Sequence, residues 1–212
     1  TSPRPPLRPA RIAPAWSRKV GGGQAKLLPV AASPSGLSRL PRVDPHLKMS
    51  QQIYPFFSNR HPFSNWFPIH FEVRGFHFNC TEQMMMFGKA KLFGDEDTAL
   101  RILDAITPKD QKALGRSVRW FDERVWVARR EGIVYQANYA KFSQNKEQGR
   151  LLLSTNDKIL VEASQFDRIW GCGLPHDHPD INYPERWLGL NLQGKSLERV
   201  RAQLALDELN NG

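Results

Sequence analysis

The segment EQMMMFGK, residues 82–89, places a glutamate and a lysine at either end of a mostly apolar run. Seven residues are almost two helical turns, so Glu82 and Lys89 lie on one helix face about 10 Å apart along the axis. They are too far apart to pair, but both can point at one elongated ligand. A glutamate can move protons, and a lysine can act as a nucleophile or bind an anion. The structural alternative is a methionine-filled core helix with a dipole-stabilising glutamate in its first turn.

Hydrophobic spacing predicts a β-hairpin and two helices around this segment. The stretch FPIHFEVRGFHFN alternates loosely and carries a turn at Arg74-Gly75, which is typical of a short hairpin. A helix containing EQMMMFGK follows, and Thr81 is its expected N-cap. The stretch DTALRILDAITP predicts a second helix. The residues expected on the inner face of that helix are Ala99, Ile102, Leu103 and Ile106.

Two more helices are expected downstream. Thr107 is the expected N-cap of a short third helix, with Pro108 at its first position and Gly115 after its last. The longest apolar pattern runs from about Asp122 to Phe142 and predicts a fourth helix. The residues expected on its inner face are Val125, Trp126, Ile133, Val134, Ala137 and Ala140.

The remaining patterns complete one domain. A short helix is predicted over Lys146–Leu153, and the run KILVEA is strand-like. The stretch SLERVRAQLALDEL predicts a closing amphipathic helix. These elements indicate the α+β class, as a single helix-rich domain with a small β-sheet.

The basic charge of the chain is concentrated in its first 48 residues. Residues 1–48 hold nine of the thirty Lys and Arg, one acidic residue and nine of the sixteen prolines. This composition predicts a disordered basic extension before a domain over residues 49–212. The extension is interpreted as unrelated to function, because Met49 stands where folded composition begins. A transit peptide and a nucleic-acid arm are the alternatives.

Composition excludes several classes of protein. No run approaches the roughly 18 apolar residues of a membrane span. The cysteines Cys80 and Cys172 form no disulfide or zinc-finger pattern, which favours a reducing, cytoplasmic location, or an organelle if residues 1–48 are a transit peptide. Cys172 is expected to be a small buried side chain. The HDH run at 176–178 is expected to be solvated, and neither a metal nor a cofactor is predicted.

Eight short motifs resemble those of the NADAR family, also called the YbiA-like family. Their order and spacing match that family from Tyr54 to Leu206, and residues 1–48 lie outside the resemblance. The motifs are FSNW at 63–66, TEQMMMFGKA at 81–90, LGR at 114–116, FDERVWVARR at 121–130, KFSQN at 141–145, LVEAS at 160–164, DRIWGCG at 167–173 and NLQGKSLERVR at 191–201.

The resemblance implies a YbiA-like fold and a glycosidase that acts on N-linked ribosyl groups. Some family members are similar to enzymes that cleave early riboflavin-pathway intermediates, and others to hydrolases that remove ADP-ribose from the amino group of guanine. The expected substrate here is ADP-ribosylated guanine, in single-stranded nucleic acid or in a nucleotide. The alternatives are a ribosylaminouracil phosphate substrate and a non-catalytic module that binds ADP-ribose. The sequence makes no prediction of the oligomeric state.

Two routes of cleavage are compatible with the matching residues. In direct hydrolysis an acid protonates the leaving nitrogen while a carboxylate stabilises an oxocarbenium-like centre. In a covalent route a partly neutral lysine forms a Schiff base with the opened sugar. The expected catalytic residues are Glu82 as acid/base, Lys89 as nucleophile or anion ligand, and Asp167 as second carboxylate. Glu162 is a weaker candidate, and Asp167 can instead cap a turn.

The same resemblance implies a set of substrate-binding residues. A tryptophan beside two glycines can offer its face to a base, an amide can read a sugar or base edge, and an arginine can bind phosphate. The alternatives are a helix-end cation for Arg116 and a turn into the last helix for Asn191 and Gly194. The expected binding residues are Asn65, Trp66, Arg116, Trp170, Gly171, Gly173 and Asn191.

The chain departs from the family pattern just after Glu82. Many members carry an aromatic residue two positions after the glutamate, often preceded by histidine, where this chain has Gln83 and Met84. The departure alters the expected base-binding wall and leaves the choice of substrate open.

Overall fold

Helices dominate the structure, a computed structural model that describes residues 52–211. The predicted extension over residues 1–48 lies outside the described residues. The predicted helix-rich α+β fold is confirmed. The elements in chain order are β1 (Ile53–Phe56), β2 (Phe71–Val73), β3 (Phe76–Phe78), α1 (Thr81–Leu92), α2 (Glu96–Asp104), α3 (Pro108–Arg116), α4 (Glu123–Gln144), α5 (Lys146–Leu153), β4 (Ile159–Glu162), two 3₁₀ turns (Pro179–Asn182 and Pro184–Arg186) and α6 (Leu192–Asn211).

The strands form two separate two-stranded sheets. Strands β2 and β3 make the predicted antiparallel hairpin, and Arg74 and Gly75 supply the two positive φ angles of its turn, 55° and 81°. Strand β1 pairs in parallel with β4, so that Phe56 lies opposite Glu162. The sequence does not predict β1, because its short run IYPF shows no alternation and its partner lies about a hundred residues away.

Helix α1 is central, since it contacts α2, α3 and α4. Its three methionines are buried in the largest core cluster, which confirms their packing role. The prediction of Thr81 as N-cap is wrong by one residue. Cys80 has the extended backbone of a cap, and its Sγ accepts a hydrogen bond from the Gln83 N–H at 3.4 Å, while Thr81 already lies in the first helical turn.

Three details of α2, α3 and α4 differ from the predictions. Helix α2 ends at Asp104, so Ile106 lies beyond it and is 83% exposed. Gly115 lies inside α3 instead of after it, and glycine is needed there because a Cβ would collide with Met86 Sδ of α1. Val125 is exposed, because the first turns of α4 lie outside the core and full burial begins at Val134.

The later elements agree closely with the predictions. Helix α5 has the predicted bounds, and β4 lies within the predicted run KILVEA. Helix α6 begins four residues before the predicted stretch SLERVRAQLALDEL, and its first turn packs directly against β4. A Cβ at Gly194 would collide with the Leu160 carbonyl, so glycine permits this close approach. Within residues 52–211 no helix is both long and apolar enough to span a membrane.

Candidate active site

Glu82 lies in the first turn of α1 and is almost fully buried, with 2% of its surface exposed. Its backbone N–H donates to the Asn65 carbonyl at 2.9 Å, and its side chain is hydrogen-bonded to Trp66. Its Oε1 is enclosed without a hydrogen-bond partner. Burial raises the pKa of Glu82 to about 7, against the smaller opposing effect of the Lys112 charge.

Glu162 ends strand β4 and is partly exposed as a residue, but its carboxyl group is enclosed by the protein. Its Oε2 is enclosed and has no hydrogen-bond partner. Burial raises the pKa of Glu162 to about 8, and the negative charges of Asp167 and Glu82 raise it further. Glu162 was expected to be a weaker catalytic candidate than Asp167. In the structure it lies close enough to Glu82 for that charge to affect its pKa.

Asp167 lies in the loop after β4 and caps a turn there, which is one of the two roles considered for it. Its Oδ1 accepts hydrogen bonds from the backbone N–H groups of Ile169 and Trp170, at 2.9 and 2.8 Å. Its negative charge also contributes to the raised pKa values of Glu82 and Glu162. One aspartate therefore shapes the loop and supplies a third carboxyl group to the cluster.

Helix α3 supplies positive charge beside these carboxyl groups. Lys112 lowers the pKa of both glutamates, partly offsetting burial, and its Nζ lies 5.7 Å from the centroid of the Trp66 ring. The charge of the exposed Arg116 also acts on Glu82. The sequence analysis missed Lys112, although its spacing of four residues from Arg116 places both on one helix face.

Lys141 is a second functional candidate that the sequence analysis missed. Its side chain is fully buried on α4, and its Nζ donates to the Ser64 carbonyl at 2.9 Å. Burial lowers the pKa of Lys141 to about 7, against the opposing charges of Cys80 and Glu162. Through this hydrogen bond the Lys141 ammonium group stabilises the backbone of the FSNW segment. Its position in the KFSQN motif was the available signal.

Lys89 lies further along α1 and faces the end of α3. Its Nζ donates to the Gly115 carbonyl at 2.7 Å and lies 4.1 Å from the centroid of the Phe121 ring and 5.7 Å from that of Trp126. Burial lowers its pKa. Lys89 and Glu82 therefore both face α3, but Lys89 contacts the end of that helix and Glu82 is affected by Lys112 in its middle.

The glycines and Asn191 hold the backbone around Glu162. A Cβ at Gly171 would lie 2.8 Å from the Asp167 carbonyl and 3.0 Å from that of Glu162, and Gly173 has a positive φ of 78°. The Asn191 side chain donates to the Leu160 carbonyl and accepts from the Glu162 N–H, at 2.8 and 3.0 Å. Because its amide is occupied by β4, Asn191 positions Glu162 in this structure.

Asn65, Trp66 and Trp170, the other predicted binding residues, differ in their surroundings. Asn65 is buried, and its Oδ1 has no hydrogen-bond partner. Trp170 packs against the core cluster around α1. Trp66 also borders a cleft of about 530 Å³, lined among others by Asn79 and Ile106, which is large enough for a small ligand.

Cys172 lies close enough to the carboxyl cluster that, after burial, the charge of Glu162 also raises the pKa of its thiol. Cys172 is a free, buried thiol, as predicted. His176 stacks on Phe57 at 5.7 Å, and His178 Nδ1 accepts from the Asp180 N–H. In the part of the chain that the structure describes, no group of three or more His, Cys, Asp or Glu residues is arranged to hold a metal ion.

Replacing Glu82 with glutamine should stabilise the protein at alkaline pH. The folded pKa of about 7 exceeds the ordinary value of 4.5, so stability falls as the pH rises from the lower value through the higher one. We expect Glu82→Gln to raise the unfolding free energy by about 1 to 3 kcal/mol at about pH 8 and by much less at about pH 4.5. Denaturant unfolding at the two pH values measures the difference.

Glu131→Gln, an exposed change on α4, is the control and should leave stability nearly unchanged at both pH values. An equal effect of Glu82→Gln at both pH values would show that burial does not favour the protonated form of this glutamate.

Comparison with known proteins agrees with the arrangement of these motifs. The NADAR domain model matches residues 50–205. An N-glycosidase of Acanthamoeba polyphaga mimivirus is 41% identical over 149 residues, covering 68% of this chain and 87% of the viral protein. The chloroplastic riboflavin biosynthesis protein PYRR of Zea mays is 27% identical over 187 residues, which cover 79% of this chain and 28% of the maize protein.

A solved structure has the same fold. The NMR structure of the E. coli protein YbiA superposes with a TM-score of 0.63 at 28% identity, covering 76% of this chain and 89% of YbiA. The predicted resemblance is thereby confirmed at the level of both sequence and fold. The chain belongs to the NADAR family.

Proposed function

We propose that this protein is an N-glycosidase that hydrolyses the bond between a ribose anomeric carbon and an exocyclic amine, and that its substrate is ADP-ribose attached to the amino group of guanine. The names of the related N-glycosidases support the reaction class. The observation that carries the proposal is that Glu82 and Glu162 each have an enclosed carboxyl oxygen and pKa values raised to about 7 and 8.

Such a pair suits the protonation that an amine leaving group requires. A carboxyl group with a pKa near 7 holds a proton at neutral pH and can still release it. Glu82 is the proposed acid, because Oε1 is free while the side chain is oriented by Trp66. As the C–N bond breaks, the nitrogen takes this proton. Water then bonds to the anomeric carbon and returns a proton to the carboxylate, so the enzyme is regenerated.

The remaining charges suit the other parts of the substrate. Asp167 places negative charge beside the two glutamates, where it can stabilise the positive charge that develops on the sugar. Lys112 and Arg116 lie four residues apart on α3, about 6 Å along the helix axis. Both side chains are long and flexible, so their cationic ends can converge on the diphosphate of ADP-ribose.

Lys89 is proposed as an anchor for an anionic group. Its bond to the Gly115 carbonyl and its position over the Phe121 ring both favour the charged ammonium form. The lowered pKa of Lys89 favours the neutral form needed for a Schiff base. To attack the sugar, however, Nζ would have to leave both of these contacts. We therefore propose direct hydrolysis as the route.

The second candidate substrate is a ribosylaminouracil phosphate of the riboflavin pathway. The similarity to the maize riboflavin biosynthesis protein favours it, and the same carboxyl groups and cations would serve the same bond. A mass-spectrometric time course of the full chain decides between the two. Release of free ADP-ribose from an oligonucleotide modified on guanine supports the first substrate, whereas release of aminouracil from the ribosyl phosphate alone favours the second. If both substrates survive, the N-glycosidase proposal is wrong.

Removing the proposed proton donor should reduce the rate far more than it reduces binding. We expect Glu82→Gln to lower kcat by about 10²- to 10⁴-fold, because general acid catalysis contributes factors of this size. Wild-type kcat should decline above about pH 7, where Glu82 loses its proton. Steady-state kinetics across pH, together with ADP-ribose affinity by calorimetry, measures both effects. An unchanged kcat would remove Glu82 from the mechanism, and tight ADP-ribose binding by a wild type that cleaves nothing would indicate a binding module.

Borohydride reduction separates the direct route from the covalent route. During direct hydrolysis no imine forms, so reduction in the presence of substrate should leave the mass of the protein unchanged. Lys89→Met should then raise KM more than it lowers kcat, because an anion anchor is lost. A ribosyl adduct mapped to Lys89 would instead establish the Schiff-base route, and Lys89→Met would abolish the adduct.

A further inference from the structure

An exposed aromatic patch lies between α3 and α4. Trp120 is 69% exposed and Phe121 44%, and Val125 on the first turn of α4 is 41% exposed. We call Arg119, Trp120, Phe121 and Val125 the α3–α4 patch. Large apolar side chains that cluster in water usually mark a binding surface.

The patch is anchored by an ion pair between the exposed Arg119 and the buried Asp95. The Arg119 guanidinium donates to Asp95, whose side chain is fully buried, with an Nη2–Oδ1 distance of 2.6 Å. The Arg119 N–H donates to the other oxygen of Asp95 at 2.9 Å. Asp95 is itself the N-cap of α2. These bonds fix the backbone on one side of Trp120, so the ring is presented by an ordered segment.

The geometry of Trp120 itself favours exposure. Its φ of 56° lies in the left-handed region, which is unusual for a bulky residue and unfavourable in energy. The guanidinium of Arg119 lies 5.1 Å from the centroid of the Trp120 ring. Trp120 therefore combines a strained backbone with an exposed ring that contacts the Arg119 guanidinium.

The patch is continuous with the candidate active site. The Nζ of Lys89 lies 4.1 Å from the Phe121 ring centroid and donates to the carbonyl of Gly115. The next residue, Arg116, acts electrostatically on Glu82. Lys89 and Arg116 therefore connect the carboxyl cluster with the aromatic rings of the α3–α4 patch.

We propose that the α3–α4 patch binds the nucleic-acid strand adjacent to the modified guanine, with a neighbouring base stacked on Trp120 and the phosphates against the surrounding cations. This inference rests on the proposed function and assigns its substrate to single-stranded nucleic acid in preference to a free nucleotide. Aromatic rings interleaved with basic side chains are the usual platform for single strands, because every base has a face that can stack.

The charges around the patch fit one strand better than a duplex. Lys89, Arg116 and Arg124 are cations near the patch, while Asp95 and Asp97 lie close to Arg119, and Asp122 and Glu123 begin α4. Positive and negative side chains are therefore balanced here, and the cations are separate points of contact for the phosphates of one strand. Residues 49–212 hold twenty-one basic and twenty acidic side chains, too balanced for the broad basic face of a duplex binder.

The test compares one modified base in two settings with the full chain. The substrates are ADP-ribosylated guanine within a short single-stranded oligonucleotide and the same base as a mononucleotide. We expect Trp120→Ala to lower kcat/KM for the oligonucleotide by about 5- to 100-fold, the range expected for loss of one stacking contact, and to leave the mononucleotide unchanged. Trp120→Phe should restore most of the loss, because it keeps an aromatic ring.

Tyr183→Ala is the matched control, since Tyr183 is also exposed and has an arginine, Arg186, 4.6 Å from its ring centroid. It should leave both substrates unaffected. Equal losses on the two substrates with Trp120→Ala, or no loss on either, would overturn the proposed strand contact. So would a wild type that does not prefer the oligonucleotide.

A direct binding measurement keeps the inference testable if the wild type cleaves neither substrate. That outcome would refute the proposed function. Fluorescence anisotropy of an unmodified labelled single strand would then compare wild type with Trp120→Ala in the full chain, where residues 1–48 contribute equally to both. Weaker binding of the variant supports the strand contact, whereas equal binding overturns it.

Discussion

The unfavourable burial of two neighbouring carboxyl groups is the constraint around which this site is organised. Each of Glu82 and Glu162 has an enclosed oxygen without a hydrogen-bond partner. Leaving such groups unsatisfied costs stability, and the penalty is greater for the ionised form. The protein reduces this penalty by keeping the two carboxyl groups protonated and by placing the positive charge of Lys112 near them. Carboxyl groups that stay protonated at neutral pH can donate a proton to a poor leaving group as it departs.

The fold brings these two groups together from distant parts of the chain. Helix α1 delivers Glu82, and its helix start is fixed by a cysteine cap and by the backbone of the FSNW segment. Strand β4 delivers Glu162, and Asn191 at the start of α6 bonds to two backbone groups of that strand. Close contacts of Gly171 with the Asp167 and Glu162 carbonyls then leave little freedom for the loop that carries Asp167. Rigid support of this kind preorganises the charges before a substrate binds.

Much of the fold and part of the site could be predicted from the sequence. Helical periodicity, proline starts and the turn at Arg74-Gly75 are local signals, so the helices and the hairpin were found within a few residues. Strand β1 and the cap at Cys80 were not predicted, because the first depends on a distant partner and the second on a weak acceptor that propensity does not favour. Local spacing correctly placed Glu82 and Lys89 on one side of α1. It could not reveal that Lys141, some sixty residues later, lies buried below the FSNW segment.

The ionisation of the two glutamates can be measured directly by ¹³C NMR of protein labelled at the glutamate carboxyl carbon, with Glu82→Gln and Glu162→Gln to assign the two signals. A proton-holding pair predicts two carboxyl carbons with titration midpoints of about 7 and about 8. If every glutamate signal instead titrates between about 4 and 5, as exposed glutamates do, both groups are ionised at neutral pH and neither is the acid proposed here.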